Sequence, residues 1–406
     1  MVDMNKFEDK LFTAERLCLF SVGPIAIFAV LFIWKIFISL PSLGESWPIL
    51  PNGYPKCIDF GFFWLSGKFA VAGDVAHIFD FPSWSAIQAA FFDPGSCPNY
   101  NRFFYPPTLL FITYPLGLMP YTVALGVWVV AAFALYEAAI YAIIPRSTAL
   151  LAAATPAFLL LSNVLMGHNV FFSAALIGLS LAFLERRPVL SGFFLAALTY
   201  KPHFGLLFPI ALLASRNWRA IGSAVLFTTV LAVLATMAFG LEGWTSFLDA
   251  FTDRSSDLGP AQGVHPRLQS IYGIVYWTGV APWVAWGVQL VVSAVVAIGI
   301  WKIWAKPISF NLKAAALCAG TFLACPYALF YDLAILYIAF AFFIKEGLTR
   351  GFLAGERLTM IVFWAVLLSF RLSSGPVIGA VLLFLIARRI VAYSRSRETA
   401  RVLAYA

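Results

Sequence analysis

Charge is scarce in this chain. Only 11% of its 406 residues are Asp, Glu, Lys or Arg, against about 25% in an average soluble domain. Apolar residues make up 62% and the mean hydropathy is +0.88. Surface-to-volume scaling gives a soluble fold too little interior to hide that much apolar surface, which excludes a water-solvated domain. Histidine is rarer still. His77, His168, His203 and His265 are the four present, and none stands at the HxxxH or HExxH spacing of a metal ligand set, so no metal site is expected. The chain also lacks GxxxxGK[ST], a GxGxxG between strand and helix, and a GxSxG elbow, which removes nucleotide-binding folds and serine hydrolases. No internal repeat or low-complexity tract is visible. Five cysteines are too few and too dispersed for a disulfide framework. Cys57 and Cys97 share one polar stretch and could close a disulfide around Asp59 in an oxidising compartment, but the Cα spacing that decides it is not readable here. Cys18, Cys318 and Cys325 stand in apolar runs as packing residues.

What is present is a series of apolar runs separated by short polar stretches. A bilayer core of about 30 Å needs about 20 helical residues per crossing. The net charge of +8 sits in clusters between runs: Arg186 and Arg187, Arg216 and Arg219, Lys302 and Lys306, Arg388 and Arg389. Such clusters mark the cytoplasmic side of a membrane protein and exclude a nucleic-acid partner. With the amino terminus inside, the run at 17–40 leads outward to a loop over 41–105 that carries three basic and five acidic residues. Within it, 60–71 and 82–92 read as interfacial helices. The four prolines 106, 107, 115 and 120 make 105–120 re-entrant in character. Further runs alternate to the basic tail, with a second outer loop at 241–269. The expectation is an all-α polytopic membrane protein, a single domain over 1–406, with about twelve transmembrane helices, both termini cytoplasmic and a large first extracytoplasmic loop carrying interfacial helices.

That alternation places seven polar or helix-breaking features on one face: Asp59, Tyr105-Pro106-Pro107, Gly167-His168-Asn169, Lys201-Pro202-His203, the loop 242–267, the turn 326–332 and Arg371. Asp59, before an aromatic run, is either a general base in an apolar setting or a helix N-cap. Lys201 between two short apolar runs is either an anion-binding group at membrane depth or a lysine snorkelling to the interface. Tyr327, Tyr331 and Asp332 offer aromatic faces and a carboxylate for a sugar ring, or part of an aromatic belt. His203, His265, Arg267 and Arg371 are further outer-face cations. Lys35 and Glu137, inside apolar runs, receive no role.

The order Asp59-Phe60-Gly61, Tyr105-Pro106-Pro107 with Pro115 and Leu118-Met119-Pro120, Gly167-His168-Asn169-Val170-Phe171 and Lys201-Pro202 with Gly205-Leu206 resembles glycosyltransferase family 87, from Asp59 to about Trp244. The family commonly has G-Q-N where this chain has Gly167-His168-Asn169. The resemblance implies the GT-C membrane fold, no cofactor, and transfer of a sugar, mannose first among candidates, from a polyprenyl-phosphate donor to a lipid or glycan acceptor. It implies an inverting reaction in the cell (inner) membrane, with the active site facing the periplasm or exterior. Asp59 takes the role of base, Lys201, His203 and Arg267 face the donor phosphate, and Tyr105, His168, Asn169, Tyr327, Tyr331 and Asp332 face acceptor or sugar. A secondary transporter or lipid-linked-sugar flippase would share the composition but should show inverted repeats. A membrane acyltransferase or polymerase would present an intramembrane His-Asp constellation.

Overall fold

The computed structural model describes residues 49–50, 53–92, 102–144, 165–253, 268–367 and 374–405. These residues are mostly helical. Between residues they form two isolated bridges, Ile49 with Pro55 and Leu268 with Leu329, and no extended strand. Fifteen α-helices follow in chain order: α1 Asp59–Ala72, α2 Val75–Phe79, α3 Phe81–Phe91, α4 Leu110–Gly117, α5 Tyr121–Ile143, α6 Val170–Phe183, α7 Pro188–Ala197, α8 Leu207–Ala214, α9 Trp218–Asp253, α10 Ile271–Tyr276, α11 Pro282–Trp304, α12 Phe310–Ala324, α13 Ala334–Arg350, α14 Glu356–Leu367 and α15 Gly375–Tyr405.

About twelve crossings were expected, and the helices correct that number. Among the described residues four are long and apolar enough to cross a membrane: Tyr121–Ile143, Trp218–Ala250, Pro282–Trp304 and Gly375–Ser394. Several long apolar helices still make this a multi-pass membrane protein. The physical reason for the smaller number is that an apolar run is not a helix of the same length. Pro188, Pro202 and the 3-10 turns Leu198–Tyr200 and Pro202–Phe204 cut 188–215 into α7 of 10 residues and α8 of 8. At 1.5 Å per residue, pieces of that length reach about 12–15 Å, half a hydrocarbon core. α12 has 15 residues and α13 has 17. The long helix α9 is itself broken at Gly240, whose φ of 77° and ψ of 161° lie outside helical space. It continues helically to Asp253, through the first part of the expected second loop. The expected run at 17–40 and most of 147–166 lie outside the described residues.

The shorter helices form the interior. Almost every side chain of α6, of α12 between Leu312 and Leu323, and of α13 between Ala334 and Phe343 is buried. α12 and α13 pack as a hairpin, with α6, α11 and α15 around it and α5 against α6. The long helices present their bare faces outward: α9 exposes Val225, Leu226, Val233 and Met237, and α11 exposes Leu290, Val291, Val295 and Ile298. An exposed apolar face of that extent fits lipid as its solvent.

The helix expected at 60–71 is present as α1, packed into the protein. α1 buries Phe60, Phe63, Trp64, Leu65, Ser66, Gly67 and Ala70, on more than one side of the helix. Its closest partner is α4. A Cβ on Gly67 would lie 2.0 Å from the Thr113 carbonyl oxygen, and one on Gly117 would lie 2.3 Å from the Gly67 carbonyl carbon. The two backbones therefore touch directly, as small residues allow between membrane helices. The Ser66 hydroxyl donates to Thr113 Oγ1 at 3.2 Å across the same seam. α4 has 8 residues, so the proline-rich segment around it contains no helix of crossing length.

Candidate active site

α12 ends at Cys325 and α13 begins at Ala334, so the turn between them lies at one end of the central hairpin. The start of α6 lies at the same end, because α6 packs on α13 and on the 3-10 turn Phe330–Leu333. Asp332 caps that turn from within: its Oδ2 accepts the Leu329 backbone N–H at 2.9 Å. Its other oxygen, Oδ1, accepts from Lys201 Nζ at 3.2 Å, with both side chains almost fully buried. Lys201 is positioned by the break between α7 and α8, in an extended conformation between two 3-10 turns. The rest of its ammonium shell is aromatic, with Phe204 at 5.4 Å and Tyr331 at 5.5 Å from ring centroids. Asp332 is thus its one hydrogen-bonding partner among the described residues. An ammonium has three N–H donors, so this buried cation keeps capacity for a further acceptor.

Tyr331 also meets His168, whose ring stacks on it at 4.1 Å and 26°. Phe330 meets the same imidazole edge-on at 5.7 Å. His168 Nδ1 lies 2.6 Å from Asp59 Oδ2, with the histidine side chain 5% exposed and the aspartate 36%. Asp59 opens α1 and makes no side-chain cap hydrogen bond as an N-cap, since Ile58 holds that position.

Gly167 sets the distance between these elements. Its φ is +65°, a conformation costly to a residue with a Cβ, and a Cβ there would lie 2.4 Å from that of Phe60. Trp128 Nε1 donates to the Gly167 carbonyl at 2.9 Å. The chain before α6 is thus pressed onto the first turn of α1, which brings residue 168 to residue 59.

Asn169 is buried; among the described residues the Nε2 of His168 is a buried atom without a hydrogen-bond partner, and the Asn169 Nδ2, which faces the Tyr105 hydroxyl, makes no full hydrogen bond. Leaving such an atom unpaired costs about 1–3 kcal/mol, so these adjacent residues mark a place where a ligand's polar groups are missing. Tyr105 lies beside Asn169 and close to Asp59, and burial first, then the Asp59 charge, holds its phenol well above the ordinary tyrosine range. It stays protonated and serves as a donor, not a base. Its ring meets Phe63 at 5.4 Å and Tyr200 at 6.2 Å.

Of the expected site residues, Asp59, Tyr105, His168, Asn169, Lys201, Tyr331 and Asp332 are thus gathered. Tyr327 is turned to a different neighbourhood, with its ring 5.8 Å from Trp286. His203 is half-buried with its ring on Phe204 at 4.3 Å. Arg267, His265 and Arg371 lie outside the described residues, as does Cys97. Cys57 is disulfide-bonded, and its partner is neither Cys318 nor Cys325, which are free.

Other residues join the site without having been expected. Tyr200 shares a hydrogen bond of 2.7 Å with Ser173 Oγ and donates to the Asn169 carbonyl at 3.2 Å, which ties the start of α6 to the Lys201 turn. Gln269 accepts from the Gly375 N–H at 3.1 Å through its side chain, while its own N–H donates to the Ala328 carbonyl at 2.7 Å. The one signal for Tyr200 in the sequence is its place next to Lys201. Gln269 and Ser173 carry none.

The site combines a carboxylate–imidazole pair and an ammonium–carboxylate pair, both in contact with the Tyr331 ring. Among the described residues no cluster of His, Cys, Asp and Glu could hold a metal ion. The pattern of glycosyltransferase family 87 matches residues 103–326, more than half of the chain. The matched stretch includes Tyr105, His168, Asn169 and Lys201, begins after Asp59, and extends beyond the Trp244 limit of the resemblance read from sequence. No curated protein and no solved structure matches the chain.

Proposed function

This chain belongs to glycosyltransferase family 87, and from that premise we propose that it moves a sugar, mannose first, from a polyprenyl-phosphate donor to a lipid or glycan acceptor. The reaction takes place at the extracytoplasmic face and inverts the anomeric carbon in a single displacement. Asp59 supplies the general base, and Lys201 faces the phosphate that leaves. Tyr105, His168, Asn169, Tyr331 and Asp332 surround acceptor and sugar.

The observation that carries this reading is the division of charge around Tyr331. The imidazole stacked on this ring holds a carboxylate at 2.6 Å, and the buried ammonium 5.5 Å from the ring centroid has, among the described residues, one hydrogen-bonding partner, at 3.2 Å. A displacement at an anomeric carbon needs both a group to take the acceptor's proton and a cation for the phosphate as its charge develops. Asp332 bears on Lys201 in a specific way. The ammonium is already balanced, so a bound phosphate shares it with Asp332 and does not meet a bare buried charge, which would be far costlier to maintain.

Transfer of radiolabelled mannose from polyprenyl-phosphate-mannose into membrane lipids or glycans by the purified protein tests the reading. Wild type should transfer label. Asp59→Asn, folded by thermal melt, should lose about 10³-fold, within the 10²–10⁴ range of a general base. A folded, fully active Asp59→Asn protein would refute the role of Asp59. Failure of wild type with mannose and then with other lipid-linked sugars would refute glycosyl transfer and bring forward the transporter or flippase reading.

A further inference from the structure

Three features of His168 go together. An ionised carboxylate only accepts hydrogen bonds, so in the neutral imidazole the 2.6 Å contact with Asp59 puts the proton on Nδ1 and leaves a lone pair on Nε2. That Nε2 is buried and has no hydrogen-bond partner. The ring is also fixed in place. Gly167 before it is pressed against Phe60 and held by Trp128 at 2.9 Å, and Tyr331 stacks on its face at 4.1 Å. A histidine held through Nδ1 by a carboxylate, with its other nitrogen bare, is arranged to take a proton from a hydroxyl nucleophile.

We propose that Nε2 of His168 is the atom that receives the acceptor's proton, with Asp59 acting through it as a positioning residue. The inference rests on the glycosyl-transfer reading and deepens it: the general-base role given to Asp59 is exercised through the imidazole that its carboxylate holds. The acceptor O–H bond breaks and its proton moves to Nε2. The oxygen's freed electron pair forms the new bond to the anomeric carbon. The bond from that carbon to the phosphate oxygen breaks, and its electron pair stays on the phosphate beside Lys201. The imidazolium so formed lies between the Asp59 carboxylate and the face of Tyr331, both of which favour a cation. The charged and titratable groups around it are Asp59 at the start of α1, Tyr331 in the turn before α13, the Lys201–Asp332 pair beside that ring, and Tyr105 on the Asp59 side.

Glutamine at 168 makes a discriminating variant, because it can still donate to Asp59 but cannot take up the proton. Mannose transfer is measured for the full-length wild type, His168→Gln, Asp59→Asn and the double variant across pH. The expected result is a fall of about 10²-fold or more in kcat for His168→Gln with little change in KM. The double variant should be no slower than the slower single one, as for residues that act as a unit. The loss of rate that wild type shows toward acid should be absent from the residual activity of His168→Gln. The proposal is overturned if His168→Gln stays within about threefold of wild type while Asp59→Asn is inactive, since Asp59 would then meet the hydroxyl itself.

A second measurement needs no activity. In protein with 15N-labelled histidine, the His168 resonances, assigned by their loss in His168→Gln, should report a proton on Nδ1 and a bare Nε2. Asp59→Asn should abolish that preference. A proton on Nε2 in wild type, or a tautomer indifferent to Asp59→Asn, overturns the proposal. Were wild type to transfer no sugar, glycosyl transfer would fall while these resonances still decided the geometry of the pair.

Discussion

The two ends of the α12–α13 hairpin bury charge in opposite ways. At the Asp332 end, among the described residues, Lys201 has one hydrogen-bonding partner, His168 Nε2 has none and Asn169 Nδ2 makes no full hydrogen bond. At the other end, Glu356 and Arg389 are fully buried and their bonds are nearly all spent. Arg389 Nε donates to Glu356 Oε1 at 2.8 Å, and Nη2 donates to Glu356 Oε2 and to the Gly351 carbonyl at 3.0 Å. Its Nη1 donates to Tyr393 Oη at 3.0 Å. Glu356 Oε2 also accepts the Leu353 N–H at 2.8 Å. Glu346 nearby accepts from Ser309 and Asn311 through Oε2, while its Oε1, 3.4 Å from Arg350, is the one atom of this cluster without a hydrogen bond among the described residues. Buried charge alone therefore does not identify a site. A saturated pair fastens helices together, while a pair with open donors and acceptors is kept for something that arrives.

The largest expected effect tests the saturated end. Arg389→Met leaves the buried Glu356 carboxylate, among the described residues, with only the half-exposed Arg388 at 3.7 Å as a cation and should cost up to about 3–5 kcal/mol of stability, read as a lowered midpoint in thermal or denaturant unfolding. Transfer per folded molecule should not change, because no site residue touches this pair. Adding Glu356→Leu should recover most of the loss, since an apolar pair of similar volume is often as stable as a buried ion pair. Lys201→Met should instead reduce both stability and transfer. If Arg389→Met lowered kcat in protein that remained folded, the division between a fastening end and a working end would fail.

The gathering of site residues was legible in the sequence even though the number of crossings was not. Each apolar run reverses the chain whether it forms a long helix or a short one, so the alternation of ends survives an error in length. This is how Asp59, Gly167-His168-Asn169, Lys201 and the 326–332 turn were placed on one side, and they do meet. The break at Lys201-Pro202 was legible as two short apolar runs, but counting every run as a crossing was not justified, since α12 has 15 residues and α13 has 17. Pairing was hidden too. Lys201 and Asp332 are 131 residues apart, and nothing local to either names the other. Arg389 stands with Arg388 in a basic cluster, and nothing in the sequence shows that its side chain is fully buried on Glu356.

A smaller effect sharpens the working end. Asn169 Nδ2 makes no full hydrogen bond to lose, so Asn169→Ala should change the unfolding midpoint far less than Arg389→Met. Its cost should appear when substrate binds, as a rise in KM or in the dissociation constant for the polyprenyl-phosphate sugar. A missing hydrogen bond of about 1–3 kcal/mol corresponds to roughly 5- to 150-fold. Stability loss without an affinity loss would make Asn169 a packing residue and would leave His168 as the site's one vacancy.

The smallest effect is a pattern of labelling. Burial, and then the Asp332 charge, pushes the Cys325 thiol up to about 12, and only a thiolate reacts with a maleimide. In folded protein near neutral pH, Cys325 and the buried Cys318 should stay unlabelled. Cys57, being disulfide-bonded, should label only after reduction. Mass spectrometry of peptides from native, reduced and unfolded samples gives the three states. Cys325 also reports on the comparison itself, because it is close enough to the Lys201–Asp332 pair to feel both charges. If it labelled in native protein at a rate approaching that of the unfolded chain, water would have reached the Lys201 end of the hairpin. The unpartnered atoms there would then be solvated groups, and the contrast with the Glu356–Arg389 end would be one of exposure alone.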